Sequence, residues 1–203
     1  MSANRSQWIC PPGPVADGLR IGLLGGSFNP AHQGHIHISE TALKALALDY
    51  VWWLVSPQNP LKSPKGMASL EERYSSARQI AHQRRIIVTT IESDFGTAYT
   101  VDTLSLLAQR FPAVRFVWLM GSDNLLQMKR WKDWRQIFSL VPIAVIARPG
   151  TALAARTSDP VQVFGQFRHD AAHLANAKPP AWTILDARRN AESATRLRAK
   201  GLG

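Results

Sequence analysis

Short apolar blocks alternate along the chain with stretches of helical spacing. Residues 21–24 form an apolar run that stops at Gly25 and Gly26, the pattern of a buried strand feeding a tight turn. Over 35–48, Ile36, Leu43, Leu46 and Ala47 fall near a 3.6-residue spacing. Residues 50–55 follow as a β-branched and aromatic run, so the three segments predict a βαβ unit. The alternation continues with a helix around 69–82, a strand near 86–91, a helix over 101–110 with Val101, Leu104 and Ala108 on one face, and a strand over 115–120. Short helices at 124–128 and 134–138 precede an apolar strand at 142–147. Residues 182–185 read as a last core strand and 194–200 as a closing helix. Between 151 and 180 no period emerges and no element is assigned. Strands separated by helices pair in parallel, which predicts an α/β fold with a mostly parallel sheet.

Residues 1–18 carry Pro11, Pro12, Gly13 and Pro14 without apolar periodicity and read as an irregular arm, leaving 19–203 as a single domain. The 203 residues suffice for one sizeable core, and 45% hydrophobic with 19% charged residues is a globular balance, which excludes a disordered chain. Lysine and arginine outnumber aspartate and glutamate 24 to 14, and the net charge of +10 favours polyanions: nucleotides, pyrophosphate or nucleic acid. The basic residues are dispersed, with no lysine-rich tail, so most read as a solvated surface. Cys10 is the only cysteine, which excludes an intramolecular disulfide and any C-x-x-C zinc pattern. No apolar stretch reaches membrane-spanning length and no signal-peptide core is seen. The expectation is a soluble cytoplasmic protein without a membrane partner.

The most informative segment is Gly25-Gly26-Ser27-Phe28-Asn29-Pro30-Ala31-His32-Gln33-Gly34-His35, set between the first strand and the first helix. Glycines let backbone approach a phosphate closely, and a helix start offers unpaired N–H groups and the positive end of its dipole. His32 and His35 can add side-chain donors to the same anion; the plainer alternative is that one caps the helix and the other packs. A zinc site would need further ligands that the segment lacks, so no protein metal ligand is assigned.

This segment resembles the G-G-x-F-[DN]-P-x-H-x-G-H signature of the nucleotidyltransferases that carry an H-x-G-H phosphate motif. Within that superfamily, landmarks over roughly residues 20–200 resemble those of the bacterial nicotinate-nucleotide adenylyltransferases. The resemblance implies a Rossmann-like, doubly wound sheet with helices on both faces. It places ATP against Gly25, Gly26, Ser27, Phe28, His32 and His35. Pro57-Gln58-Asn59-Pro60-Leu61-Lys62 resembles the family's loop that brings a basic residue to the substrate phosphate, a role falling on Lys62. Thr97-Ala98-Tyr99-Thr100-Val101-Asp102-Thr103-Leu104 resembles its S-Y-T-x-D-T-L segment, where amides at a helix start meet the nicotinate carboxylate; this makes Thr97, Tyr99 and Thr100 substrate-binding candidates. A side-chain cap by Thr97 or Thr100 is the ordinary alternative.

Gly121-Ser122-Asp123 ends a strand, and by family position Asp123 would accept hydrogen bonds from the adenosine ribose, while Trp131 would stack on the pyridine ring. Trp134 reads as core. Asn190 through Arg198 resembles the family's N-x-I-S-S-T-x-I-R motif: Asn190 would touch adenine, Ser193 and Thr195 would hold ATP phosphates, and Arg198 would supply a charged fork. Glu192, Ala194 and Ala98 depart from the family pattern, each weakening a single contact.

The implied reaction is in-line attack of nicotinate mononucleotide on the α-phosphorus of ATP, with His32, His35 and Arg198 catalytic and Mg²⁺ arriving with ATP. The alternatives are a sister enzyme acting on nicotinamide mononucleotide or phosphopantetheine, the latter disfavoured by residues 97–104. From a different class comes a basic nucleic-acid-binding protein on the same scaffold. No nucleic-acid partner is expected, and the residues imply no particular oligomeric state.

Overall fold

The computed structural model describes residues 10–57, 66–148 and 150–186. Six strands among them form one all-parallel sheet: β1 (Arg20–Gly26), β2 (Tyr50–Val55), β3 (Ile86–Thr89), β4 (Arg115–Gly121), β5 (Ile143–Ile146) and β6 (Trp182–Leu185). Their order across the sheet is β3-β2-β1-β4-β5-β6. The order reverses between β1 and β4, and in open α/β sheets ligands bind beyond the strand C-termini at such a switch point.

Neighbouring strand residues serve opposite faces. Trp52 and Leu54 of β2 join one core cluster, while Val51, Trp53 and Val55 join the other. The first cluster is covered by α3 (Ile91–Phe95), α4 (Thr100–Arg110), α5 (Ser122–Gln127), α6 (Trp134–Leu140), α7 (Ala152–Arg156) and α8 (Asp159–Phe164). The second is covered by α1 (Gln33–Ala45), α2 (Leu70–Ile80) and α9 (Ala171–Leu174). Burial on both faces is why these strands are almost wholly apolar, and it bears out the doubly wound α/β expectation. No helix among the described residues is long and apolar enough to cross a membrane.

Several boundaries differ from the sequence expectation. β1 runs on through Gly25 and Gly26, which pair with Leu54 and Val55, so the turn falls later, at Ser27 to Pro30. The reason for glycine is close approach: a Cβ at Gly25 would lie 2.5 Å from Trp118 Cη2. The left-handed backbone of this turn belongs to Phe28, at φ 47°. α1 stops at Ala45, where the Leu46 N–H caps onto the Ala42 carbonyl and Ala47 turns to φ 49°, yet Leu46 and Leu48 remain buried. β3 ends at Thr89, and Ile91 instead opens α3. Residues 151–180, where no period was found, hold α7, α8 and α9 as pieces of four to six residues, too short to show one. The expected helix at 194–200 lies outside the described residues. The described part of the arm, residues 10–18, is irregular but not detached: Val15 packs against the core, and the Gly18 N–H donates to the Ala113 carbonyl.

The loops after β1 and β2 share one buried side chain. Arg73 of α2 is 2% exposed, and its guanidinium donates to the carbonyls of Ser27, Ser56, Pro57 and Ala68 at 2.7 to 3.1 Å. Asn29 ties the same region down, donating to the Gly66 carbonyl and accepting from the Ala68 N–H.

Candidate active site

The end of β1 delivers two imidazoles to the first turn of α1. His32 is the N-cap: its Nδ1 accepts from the Gly34 N–H at 3.0 Å, while His35 Nδ1 accepts from the His32 N–H at 3.2 Å. This is a capping box in which histidines replace the usual serine and glutamate. A ring nitrogen that accepts carries no proton, so each neutral ring holds its hydrogen on Nε2, as a donor. Capping leaves the Nε2 atom of each ring available, so the same rings can cap the helix and donate to an anion. His32 is buried, and its pKa is lowered to about 4, first by desolvation and then by the nearby Arg148 charge, which keeps it neutral at physiological pH. The ring of His35 lies 4.0 Å from that of His32 and 4.6 Å from Phe28, which in turn stacks on Trp53. Trp53 Nε1 donates to Ser39 Oγ, whose hydroxyl donates to the His35 carbonyl, so core packing fixes the first turn of α1.

Beyond β4, Gly121 is the N-cap of α5, and a Cβ there would lie 2.3 Å from Asp123 Oδ1 and 2.7 Å from Arg148 Nε. The glycine makes room for a pair the sequence reading missed: Arg148 Nη1 donates to Asp123 Oδ2 at 3.2 Å. The buried hydroxyl of Ser122 accepts from the Arg148 N–H. Asp123 Oδ1 is buried with no partner among the described residues, a lone acceptor of the kind a ribose hydroxyl would satisfy. Arg148 belongs to no linear motif; only its place just past β5, adjacent to β4, could have signalled it.

A cleft at this edge of the sheet is lined by Gly25, Gly26, Ser27, Tyr99, Thr100 and Trp131 among others. α4 begins at Thr100 with Tyr99 as N-cap, and no side chain caps it. Thr97 and Thr100 are therefore not caps. The Thr97 hydroxyl instead turns to Thr103 and the Glu92 carbonyl. The Asp102 N–H donates to the Tyr99 carbonyl at 3.1 Å, while the amides of Thr100 and Val101 have no side-chain cap, which suits a carboxylate. Trp131 is half-buried and meets Trp118 edge to face at 6.4 Å, whereas Trp134 is buried in the core as expected. Glu92, Arg130 and Lys132 also line the cleft and were not anticipated. Lys132 pairs with Asp102 at 3.0 Å and lies 5.0 Å from the Tyr99 ring centroid.

The structure thus gathers Gly25, Gly26, Ser27, Phe28, His32, His35, Thr97, Tyr99, Thr100, Gly121, Asp123 and Trp131 along the C-terminal edge of the sheet. Lys62, Asn190, Ser193, Thr195 and Arg198 lie outside the described residues.

Comparison with known proteins agrees. The profile of the cytidylyltransferase-like family matches residues 23–200. A protein of Parvibaculum lavamentivorans described as a "probable nicotinate-nucleotide adenylyltransferase" is 53% identical over 190 residues, covering 92% of this chain and 94% of its own. One of the same description from Cereibacter sphaeroides is 51% identical, covering 89% and 97%. In three dimensions the chain is similar to Plasmodium falciparum nicotinic acid mononucleotide adenylyltransferase complexed with NaAD, with a TM-score of 0.68 at 15% identity, covering 89% of this chain and 83% of that one; this supports the fold. Sequence, profile and architecture together show that the chain belongs to the cytidylyltransferase-like family and, within it, to the nicotinate-nucleotide adenylyltransferases.

Proposed function

We propose that this protein transfers the AMP moiety of ATP to nicotinate mononucleotide, releasing pyrophosphate and forming nicotinate adenine dinucleotide for NAD synthesis. The observation that carries the proposal is the histidine capping box at the end of β1, which sets two Nε2 donors at the start of α1. A 5′-phosphate oxygen of the mononucleotide attacks the α-phosphorus, the bond to the α,β-bridging oxygen breaks, and pyrophosphate leaves with the electron pair. No covalent enzyme intermediate and no general base are required, because the attacking oxygen is already anionic. What remains is alignment and stabilisation of the charge that builds on the α-phosphoryl and the leaving group, a task for fixed donors. His32, His35 and Arg198 are assigned to it. Gly25, Gly26, Ser27 and Phe28 pass close to the triphosphate, Gly121 and Asp123 serve the ribose, Asn190 the adenine, and Ser193 and Thr195 the phosphates.

The acceptor is assigned to the cleft of Thr97, Tyr99, Thr100 and Trp131, with Lys62 near its phosphate. The uncapped first turn of α4 favours the acid over the amide ring, since a carboxylate can take its free N–H groups. Among the described residues no group of three His, Cys, Asp or Glu stands together as a metal nest. A divalent ion, Mg²⁺, is assigned to triphosphate oxygens and water, where it would neutralise charge on the departing pyrophosphate. The test is pyrophosphate release from the purified protein, expected only when ATP, Mg²⁺ and nicotinate mononucleotide are all present. Release that is indifferent to the mononucleotide would refute the proposal.

A further inference from the structure

α3 carries a carboxyl that adenylyl transfer does not employ. Glu92 is 7% exposed and lines the acceptor cleft with Tyr99, Thr100 and Trp131. Among the described residues no salt bridge reaches it; its side-chain partner is the Thr103 hydroxyl, 3.2 Å from Oε1. Thr103 Oγ1 also lies 2.8 Å from Thr97 Oγ1 and 3.3 Å from the Tyr99 carbonyl, and Thr97 Oγ1 lies 3.3 Å from the carbonyl of Glu92 itself. Each of these four contacts needs a hydrogen, and the two carbonyls can only accept. With Glu92 ionised, the two threonine hydrogens serve at most two contacts; a proton on the carboxyl serves a third. Burial acts in the same direction, lifting the Glu92 pKa to about 7 against the opposing pull of the Thr103 hydroxyl.

We infer that Glu92 is a specificity-determining residue: a carboxylic acid in the wall of the acceptor cleft that must keep its proton for an anionic ring substituent to enter. The inference rests on the adenylyl-transfer reading above. An ionised Glu92 and a nicotinate carboxylate in one cleft repel, so the acid ring selects the protonated protein and carries a proton in with it, whereas a neutral carboxamide is indifferent. The other charged or titratable groups on elements around Glu92 are Asp94 on its own helix, Tyr99 and Asp102 at the start of α4 and Arg110 at its end, Tyr50 on β2, and Arg130 and Lys132 lining the same cleft. Asp102 is engaged by Lys132.

The deciding measurement is KM for nicotinate and nicotinamide mononucleotides from pH 6 to 9, in wild type and Glu92→Gln. In wild type the acid's KM should climb above about pH 7, approaching tenfold per pH unit, while the amide's stays flat. In Glu92→Gln the acid's KM should hold near the wild-type value at pH 6. A folded Glu92→Gln that keeps the wild-type pH profile overturns the inference. Should that variant not fold, calorimetry on wild type in two buffers of different ionisation heat decides: binding of nicotinate mononucleotide at pH 8, where the substrate phosphate is already ionised, should take up close to one proton, and uptake below about half a proton overturns it. Absence of turnover with either mononucleotide would instead strike the adenylyl-transfer reading.

Discussion

Helices α1 and α4 both begin at the C-terminal edge of the sheet, yet their first turns are completed in opposite ways. α1 is closed by its own histidines, which satisfy two orphan amides and are themselves oriented by doing so. α4 has a tyrosine N-cap that makes no side-chain capping bond, so the amides of Thr100 and Val101 stay open. An N-terminus that caps itself can still bind an anion if the cap is an imidazole, because one nitrogen accepts while the other donates. A serine–glutamate box would offer at most the serine hydroxyl as donor, beside a carboxylate that repels an anion. An open N-terminus can hold a carboxylate directly, at the cost of about 1 kcal/mol of helix stability that a cap would have supplied.

The sharpest way to break this comparison is His35→Ala, which removes one side of the box. kcat should fall a hundredfold or more in a steady-state assay, the scale of losing one transition-state donor. Near-normal turnover by a folded variant would show that the imidazole only packs.

Glu92 gives the next largest effect, on stability. Its proton is held more tightly in the folded chain, with a pKa of about 7 against an ordinary 4.5, so folding takes up a proton between these values. The stability it contributes is therefore complete below about pH 4.5 and is lost as pH rises to about 7, by up to about 3 kcal/mol at ~1.4 kcal/mol per pH unit. Glu92→Gln does not titrate. Its stability relative to wild type in urea melts should grow by that amount between pH 4.5 and 7; parallel pH curves would contradict the buried neutral acid.

A smaller effect comes from closing the open helix. Tyr99→Ser installs a cap and Tyr99→Ala does not, and both remove the same ring. The serine variant should be more stable by about 1 kcal/mol in thermal melts and have the higher KM for nicotinate mononucleotide, because its hydroxyl occupies an amide the substrate needs. Equal KM values would place the carboxylate elsewhere.

The smallest expected change is none at all. His32, with its pKa near 4, should show no titration by NMR between pH 5.5 and 8. Its folded-state pKa lies below the ordinary 6.5, so its effect on stability appears instead as a loss when pH falls from about 6.5 toward 4.

The sheet was legible in the sequence because strands buried on both faces are continuous apolar runs, and all six appear where such runs occur. Helix α3 was not. Ile91 continued the apolar run of β3, and the chain turns there around Glu92, whose burial depends on Thr97 and Thr103, partners that no local pattern reveals. The stop at Gly96 was the one available signal. Between 151 and 180, alanines and single turns leave nothing periodic to read. The site divided similarly: the contiguous segments from Gly25 to His35 and from Thr97 to Leu104 could be recognised, whereas Arg148 meets Asp123 and His32 only once β5 lies beside β4.

Arg73 extends this logic from contacts to fields. Its four acceptors among the described residues are carbonyl oxygens, with no carboxylate among them, so its charge is oriented by dipoles and cancelled by none of them. A cation sealed beneath the glycine segment is sheltered from dissolved salt to a degree no surface lysine can match. The pull it exerts on an incoming polyanion should therefore persist at ionic strengths that silence the rest of this basic chain.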